Sequence, residues 1–240
     1  MAAGIDTTRV SIGDQAALYI RRLIFDGALR PGTRVPQDEI AQALGVSRIP
    51  VREALIGLER EGWVTIELHR GAFVNALDAQ SVRDHYGLYG LVYGFAARRA
   101  LARSGGEDVV AALEQLVKGL RKDTPPEEFT RVTLEFHRMV VHAAQSTRIK
   151  VVLRAMSGIV PGDFFSLVPD AMAIERRALT AITQAMRQGD QVRVDDEYVR
   201  MMEQVGEAVV ELFNRRRLFH SPDEDGGQGS AQAGNGRSGH

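Results

Sequence analysis

The chain has 240 residues, of which 44% are hydrophobic and 25% charged, and its formal net charge is −1. These proportions are typical of a globular protein with one or two domains, and they exclude collagen-like, coiled-coil and largely disordered classes. The near-zero charge excludes a protein that holds nucleic acid by a bulk positive field, and the absence of cysteine excludes disulfides, thiolate metal sites and cysteine nucleophiles.

Two helices are predicted at the start of the ordered part. Apolar residues recur every three or four positions from Ile12 to Ile24, which predicts a helix that ends at Gly27 and the following Pro31-Gly32. A short second helix follows Pro36, and Gly45 is placed to end it as a left-handed C-cap residue.

A third helix is predicted to begin after Ser47. Ser47 fits its N-cap, and Pro50 lies in the first turn, where the missing N–H breaks no helical bond. Arg48 and Arg52 are four residues apart and share one line of the helix surface. That line runs beside the apolar stripe, which contains Val51, Ala54, Leu55 and Leu58. The helix is therefore predicted to be packed on one side and cationic on another.

A β-hairpin is predicted after Gly62. Residues 63–66 and 72–74 are rich in β-branched and aromatic side chains, and His69-Arg70-Gly71 joins the two runs. Three helices with a tight turn between the second and third, followed by a hairpin, have the order of a winged helix-turn-helix. The third helix of such a module enters the major groove with its N-terminal residues on base edges.

Spaced residues over nearly all of positions 12 to 75 resemble the GntR family of bacterial transcription regulators. They are Arg30-Pro31-Gly32-Thr33-Arg34-Val35-Pro36, Glu39-Ile40-Ala41, Leu44-Gly45-Val46-Ser47-Arg48-Ile49-Pro50-Val51-Arg52-Glu53-Ala54-Leu55, Leu58-Glu59, Glu61-Gly62-Trp63-Val64 and Arg70-Gly71-Ala72-Phe73-Val74. The resemblance implies a regulator that binds double-stranded operator DNA.

The same resemblance assigns DNA contacts to particular residues. Arg48 and Arg52 would touch operator bases or phosphates, and a bidentate arginine–guanine contact is worth about 1 to 3 kcal/mol of discrimination. The alternative is that these arginines only form surface pairs with Glu53 or Glu59. Phosphate contacts are implied for Ser47 and the backbone near Pro50, and minor-groove contacts for the hairpin tip at His69, Arg70 and Gly71.

The chain departs from the family pattern after the proline of the second helix. Many relatives carry Glu-Arg there, whereas this chain has Gln37-Asp38. Arg34 is expected either to replace the missing contact or to be a solvated turn residue.

A larger helical domain is predicted from Asp78 onward. Six helices are expected, over 79–103, 106–121, 125–145, 148–159, 170–188 and 190–217, with a loop from Pro161 to Pro169. This region resembles the FCD effector domain of the FadR-type branch over about 78 to 219. Helical bundles build ligand sites from side chains that face inward.

The metal site of many FCD domains is not preserved. The family pattern is an Asp four residues before a His on one helix, with two further His on the last two helices. Here His137 remains, but the other three positions fall on Thr133, Arg176 and Met201. One His with these neighbours is a poor metal site, and an arginine would repel the ion. We therefore predict no metal and no other cofactor.

The expected effector is a metal-independent, partly apolar or aromatic small molecule, with any acidic group paired to Arg176. Where relatives have an effector-gripping Arg and a Glu, this chain has Tyr89 and Tyr93. These tyrosines, with Tyr86, form a stripe that is either core or dimer packing or a ligand cage, and His137 is either a core histidine or a ligand contact. The predicted effector contacts are Tyr89, Tyr93, Thr133, His137, Arg176 and Met201.

The resulting prediction is a mainly α protein with a winged helix-turn-helix at 11–77 and an all-helical effector and dimerisation domain at 78–220. Disordered segments are expected at 1–10 and 221–240. No apolar run reaches the length of a membrane span and no signal peptide opens the chain, so we expect a cytoplasmic, homodimeric, ligand-responsive repressor on a palindromic operator. The alternatives are a constitutive DNA-binding or architectural protein and, ranked last, an enzyme built on the helical bundle.

Overall fold

The computed structural model describes residues 11–103, 106–156, 159–160, 164–216 and 218–219. The two segments expected to be disordered, 1–10 and 221–240, lie outside the described residues. Within the described part, no helix is both long enough and apolar enough to cross a membrane.

The first module contains three helices and a two-stranded antiparallel sheet, as expected. Its elements are α1 (Ile12–Phe25), α2 (Gln37–Leu44), α3 (Arg48–Arg60), β1 (Val64–Glu67) and β2 (Gly71–Val74). Ser11 and Asp14 form a capping box at the start of α1. Gly45 ends α2 with φ 65°, the left-handed conformation predicted for it.

The core of this module forms where α1, α3 and the sheet meet. Ile20, Val51 and Leu58 are completely buried, and Trp63 is nearly so. The strands pair from Val64 opposite Val74 to Glu67 opposite Gly71, so the apolar face of the hairpin packs on the helices. The opposite face of α3 is thereby left at the surface.

The second module is a bundle of helices. Its described elements are α4 (Ala79–Leu101), α5 (Gly106–Gly119), α6 (Pro126–Ala143), α7 (Thr147–Ala155), α8 (Phe164–Leu167), α9 (Pro169–Gln188) and α10 (Gln191–Arg215). The prediction of an uninterrupted loop from Pro161 to Pro169 is wrong, because α8 forms inside it. The reason is packing: Phe165 is buried, with its ring centroid 4.7 Å from that of Phe129.

Helices α4 and α10 pack backbone to backbone at the centre of the bundle. A Cβ on Gly90 would lie 2.8 Å from Val199 Cα, and a Cβ on Gly94 would lie 2.8 Å from the Asp195 carboxylate. Two of the three glycines on α4 therefore serve close helix approach. Gly87, the third, has no such neighbour in the described structure.

The two modules meet where the end of α1 docks on the end of α10. The Phe25 ring contacts the Phe213 ring edge-on, at a centroid distance of 5.8 Å. Arg216 caps this contact, with its guanidinium 4.3 Å from the centroid of Phe25 and Nη1 3.2 Å from Asp26 Oδ1. The Phe25 side chain thus packs in the core of the bundle rather than in the core of its own module.

Candidate nucleic-acid interface and effector site

The start of α3 presents an exposed cationic edge. Arg48 and Arg52 are both exposed, and their positions one turn apart place them on one line of the helix. Arg52 makes no hydrogen bond or ion pair with any described residue. Ser47 occupies the N-cap position with extended backbone angles, but its side chain makes no capping hydrogen bond. The hydroxyl and the first N–H groups of α3 are therefore available to an anion.

An exposed isoleucine at the same edge was missed by the sequence reasoning. Ile49 is 67% exposed, between the N-cap and Pro50. The signal in the sequence was that Ile49 is apolar but lies off the core stripe of α3, which indicates an exposed apolar side chain. Apolar contacts with the thymine methyl group are a recurrent form of base recognition in the major groove.

Asp38 of α2 is the ion-pair partner of Arg48. The pair is not one of those considered from the sequence, which involved Glu53 or Glu59. Both side chains are largely exposed, at 70% for Arg48 and 63% for Asp38, so the pair contributes about 0 to 1 kcal/mol to stability. Asp38 is one of the two residues that depart from the family pattern, and it is the residue that pairs with Arg48.

The hairpin forms a wing whose tip depends on an unusual backbone. His69 has φ 61° and Gly71 has φ 106°. A Cβ on Gly71 would lie 2.8 Å from Arg34 Nε, which places the Arg34 side chain against the wing. Arg70 is 70% exposed, pairs with Glu67, and lies 5.4 Å from the Phe73 centroid. Arg34, His69 and Arg70 thus all lie at the wing surface.

Three of the six predicted effector contacts lie together, two more are buried in the same bundle, and Arg176 lies apart from them. Tyr89, Tyr93 and His137 lie together: Tyr93 is 5.5 Å from Tyr89 and 4.6 Å from His137 between ring centroids. Met201 is buried in the same bundle core, and the Thr133 hydroxyl donates to the Phe129 carbonyl at 3.0 Å.

Arg176 is the predicted residue that the structure does not bring into this group. Its Nη1 donates to the Arg121 carbonyl at 3.2 Å, and no described ring contact or ion pair joins it to Tyr89, Tyr93 or His137. The inward side chain is that of its neighbour, Glu175, because one residue turns a helix by about 100°.

Glu175 is buried without a cationic partner. It is 6% exposed, forms no ion pair among the described residues, and burial raises its pKa to about 8. The pKa of Tyr93 is raised mainly by burial and then by Tyr89, and the Glu175 carboxyl group is a further, smaller cause. Glu175 is also the last of the causes that raise the pKa of Tyr198, so it lies within electrostatic reach of both tyrosines.

His137 and Tyr198 add two more buried polar atoms without partners. His137 Nδ1 is 2.9 Å from the Thr133 carbonyl, which can only accept, so Nδ1 carries the proton. Burial lowers the pKa of His137 to about 4, against the opposing effect of this hydrogen bond. In the neutral ring Nε2 is then an acceptor. His137 Nε2 and the Tyr198 hydroxyl are both buried with no hydrogen-bond partner in the described structure.

A surface cavity of about 270 Å³ lies elsewhere, between α4, α5 and α6. Arg103, Val109, Met139 and His142 are among its lining residues. None of the six predicted effector contacts lines it. No group of three or more His, Asp or Glu side chains within the described ranges is arranged to hold a metal ion.

Two family models match the chain. Residues 12–74 match the model of bacterial regulatory proteins of the gntR family, and residues 84–203 match the FCD domain. The matches meet near the boundary between the two modules, so each module has its own family model.

Individual relatives agree with these matches. An uncharacterized HTH-type transcriptional regulator of Mycobacterium tuberculosis is 35% identical over 152 residues, which are 63% of this chain and 62% of that protein. The gluconate operon transcriptional repressor of Bacillus licheniformis is 26% identical over 148 residues, 60% of each chain. The chain therefore aligns with about three fifths of the length of these relatives. The solved structure of E. coli McbR/YncC has a TM-score of 0.55 at 18% identity, covering 86% of this chain and 99% of its own, which is a likeness of fold.

Proposed function

The chain belongs to the GntR family of bacterial regulatory proteins and carries an FCD domain, and from this premise we propose that it is a homodimeric repressor. It binds a palindromic operator through α3 and the wing, and a small molecule in the FCD domain adjusts its affinity for DNA. It acts where the bacterial chromosome lies, in the cytoplasm.

The observation that carries the DNA-binding proposal is the free edge at the start of α3. Arg52 is exposed and has no described partner, so it can reach a base without first breaking an ion pair. Arg48 must exchange Asp38 for DNA, and Ile49 is placed beside them for a thymine methyl group. The contact between modules involves the ends of α1 and α10, which leaves this edge uncovered.

The wing supports phosphate and minor-groove contacts. Arg34 and Arg70 are exposed on it, as is His69, which has a left-handed backbone at the tip. Arginines near a groove add affinity for any sequence, because phosphate contacts carry no base information. We assign sequence preference to α3 and general affinity to the wing.

The exposed face of α4 supports a dimer. Leu88, Leu91 and Phe95 are each about half exposed or more, and their spacing of three and four residues forms one apolar stripe. In an antiparallel pair related by a two-fold axis, Leu88 lies opposite the partner's Phe95, and Asp84 lies opposite the partner's Arg99. Asp84 forms no ion pair among the described residues, so such a pairing is also complementary in charge. A two-fold dimer would place its recognition helices about 34 to 36 Å apart, one turn of DNA.

The test is an operator selected from a random duplex pool and then titrated with variants. Arg52→Ala should lower operator affinity about five-fold or more and relax base preference at one position of each half-site. Arg60→Ala, an exposed arginine at the far end of the same helix, is the matched control and should bind like wild type. Identical footprints and affinities for wild type and Arg52→Ala would contradict the proposal.

A constitutive DNA-binding protein is the second candidate. The stacked rings of Tyr93 and Tyr198, at 5.8 Å between centroids, fill space in the bundle that a ligand would need. If this candidate were correct, operator affinity would not change with any small molecule bound by the FCD domain.

A further inference from the structure

Two fully buried atoms beside the tyrosines and one buried carboxyl group have no hydrogen-bond partner among the described residues, and all three groups can accept a hydrogen bond. They are His137 Nε2 and the Tyr198 hydroxyl and the carboxyl group of Glu175, a residue that is 6% exposed, here together called the acceptor cluster. The His137 nitrogen can only accept, because Nδ1 holds the proton. Buried polar groups without partners cost free energy, so they are rare in structures unless a bound group satisfies them.

The acceptor cluster is surrounded by aromatic rings. Tyr93 is 4.6 Å from His137 and 5.8 Å from Tyr198 between centroids, and it packs edge-on against Tyr89 at 5.5 Å. The faces of aromatic rings attract cations within about 6 Å of the centroid. Aromatic rings gathered around the ligand are a recurrent way of recognising ammonium groups.

The ionisable group at this place is an acid, and burial keeps it mostly protonated at neutral pH. Glu175 has no cationic partner in the described structure, and the Arg176 guanidinium is instead hydrogen bonded to the Arg121 carbonyl. An anion brought here would meet a carboxyl group and lone pairs. An ammonium group would supply the missing N–H donors, and its positive charge would stabilise the ionised form of the carboxyl group.

We propose that the acceptor cluster binds the ammonium group of a small amine whose apolar or aromatic body lies among the tyrosines. The proposal rests on the proposed function, since it names the chemical class of the effector. Ammonium N–H groups donate to Glu175, to His137 Nε2 and to the Tyr198 oxygen.

Entry of the amine requires the outer rings to move. His85 stacks on Tyr89 at 5.1 Å, and the Tyr89 hydroxyl is 3.4 Å from the Leu153 carbonyl. Both rings are half-buried and belong to α4, the helix that also carries the exposed apolar stripe. Ligand entry therefore displaces side chains on the helix assigned to the dimer contact.

The experiment titrates the full chain, in EDTA, with four probes of one shape: benzylamine, benzyltrimethylammonium, benzyl alcohol and benzoate. Benzylamine should bind saturably by calorimetry and raise the melting temperature. Benzyltrimethylammonium, a cation without N–H donors, should bind more weakly. Benzyl alcohol and benzoate should not bind.

Variants assign the binding to the acceptor cluster. Glu175→Gln should weaken benzylamine binding at least ten-fold, and Tyr198→Phe, which removes one oxygen and keeps the ring, should also weaken it. Arg176→Gln, the adjacent residue, is the matched control and should bind as wild type does. Circular dichroism and operator binding show that each variant is folded.

Several results would overturn the proposal. They are no binding of benzylamine by the folded wild type, equal binding by Glu175→Gln, and benzoate binding that Arg176→Gln abolishes, which would restore the acidic effector. Operator binding is measured separately. A chain that binds benzylamine but no DNA would refute the proposed function and keep this site, whereas a chain that binds DNA but no amine would refute only the site.

Discussion

Arg48 and Arg52 at the start of α3 are both exposed but have different surroundings. Arg48 is held by Asp38 of α2, whereas Arg52 has no partner among the described side chains. DNA binding must break the ion pair between Arg48 and Asp38, whereas Arg52 gains a contact without losing one. We therefore assign more of the sequence preference to Arg52 than to Arg48, although the spacing of the two residues makes them look equivalent.

Gly71 combines two requirements that alanine does not meet. Its φ of 106° is unfavourable for residues with a Cβ, and that Cβ would lie 2.8 Å from Arg34 Nε. Gly71→Ala should lower the free energy of unfolding by about 1 to 3 kcal/mol, measured by urea denaturation. Gly57→Ala in α3 is the control: no atom lies within 4 Å of its Cβ position, so it should be neutral or stabilise by up to about 1 kcal/mol. Equal losses in both variants would contradict the assignment.

Glu175 makes stability depend on pH in a defined direction. Burial raises its pKa from 4.5 to about 8, so between these values the folded chain keeps a proton that the unfolded chain has lost. Stability contributed by this group is therefore present below pH 4.5 and is lost as the pH rises through about 8.

The corresponding prediction compares Glu175→Gln with wild type by urea denaturation at about pH 5 and about pH 8.5. Because glutamine does not ionise, the variant should gain stability relative to wild type at the higher pH. Glu203→Gln, an exposed position on α10, should show no such gain. A difference between Glu175→Gln and wild type that does not change with pH would show that Glu175 is not buried as an acid.

Among the helices, α4 has two faces with different roles. One face carries Gly90 and Gly94 against α10, and its tyrosines point into the bundle. The opposite face carries the exposed stripe of Leu88, Leu91 and Phe95. A helix that is apolar on both faces is covered on both faces in most proteins, which is why we assign the second face to a partner copy.

Leu91→Glu should convert the dimer to a monomer. A charge at the centre of the stripe would be buried opposite the same charge of the partner. Size-exclusion chromatography with light scattering should then report a mass near 26.4 kDa rather than twice that value. Leu134→Glu, at a leucine on α6 that is slightly more exposed than Leu91, should remain a dimer. Loss of the dimer in the control alone would place the interface on α6.

For the whole molecule, the end of α1 connects the two modules. Phe25 is an α1 residue whose ring packs with Phe213 of α10, and Arg216 covers it. A shift of α10 within the bundle would therefore move the helix that packs against α3. We therefore propose this contact as the route that couples a ligand in the bundle to DNA binding.

Arg216→Ala should loosen that connection. Removing the cation–π contact and the pair with Asp26 should speed amide hydrogen exchange at the end of α1, while the interior of α10 stays protected. Arg215→Ala is the control, because Arg215 lies 3.9 Å from Glu211 of its own helix and is mostly exposed. Unchanged exchange at Phe25 in Arg216→Ala would show that the contact does not hold the modules together.

Local pattern was sufficient to predict the winged helix-turn-helix, its cationic edge and most helices of the bundle. These features depend on spacing along the chain: Gly45 ends α2 and the arginines of α3 are one turn apart whatever lies nearby. Contacts between distant segments could not be predicted in this way. Three features arise from packing between distant segments: the pairing of Arg48 with Asp38, the helix α8 around Phe165, and the burial of Glu175 in place of Arg176. Glu175 and Arg176 are adjacent, but one residue turns a helix by about 100°, so one side chain is buried and the other lies outside the core.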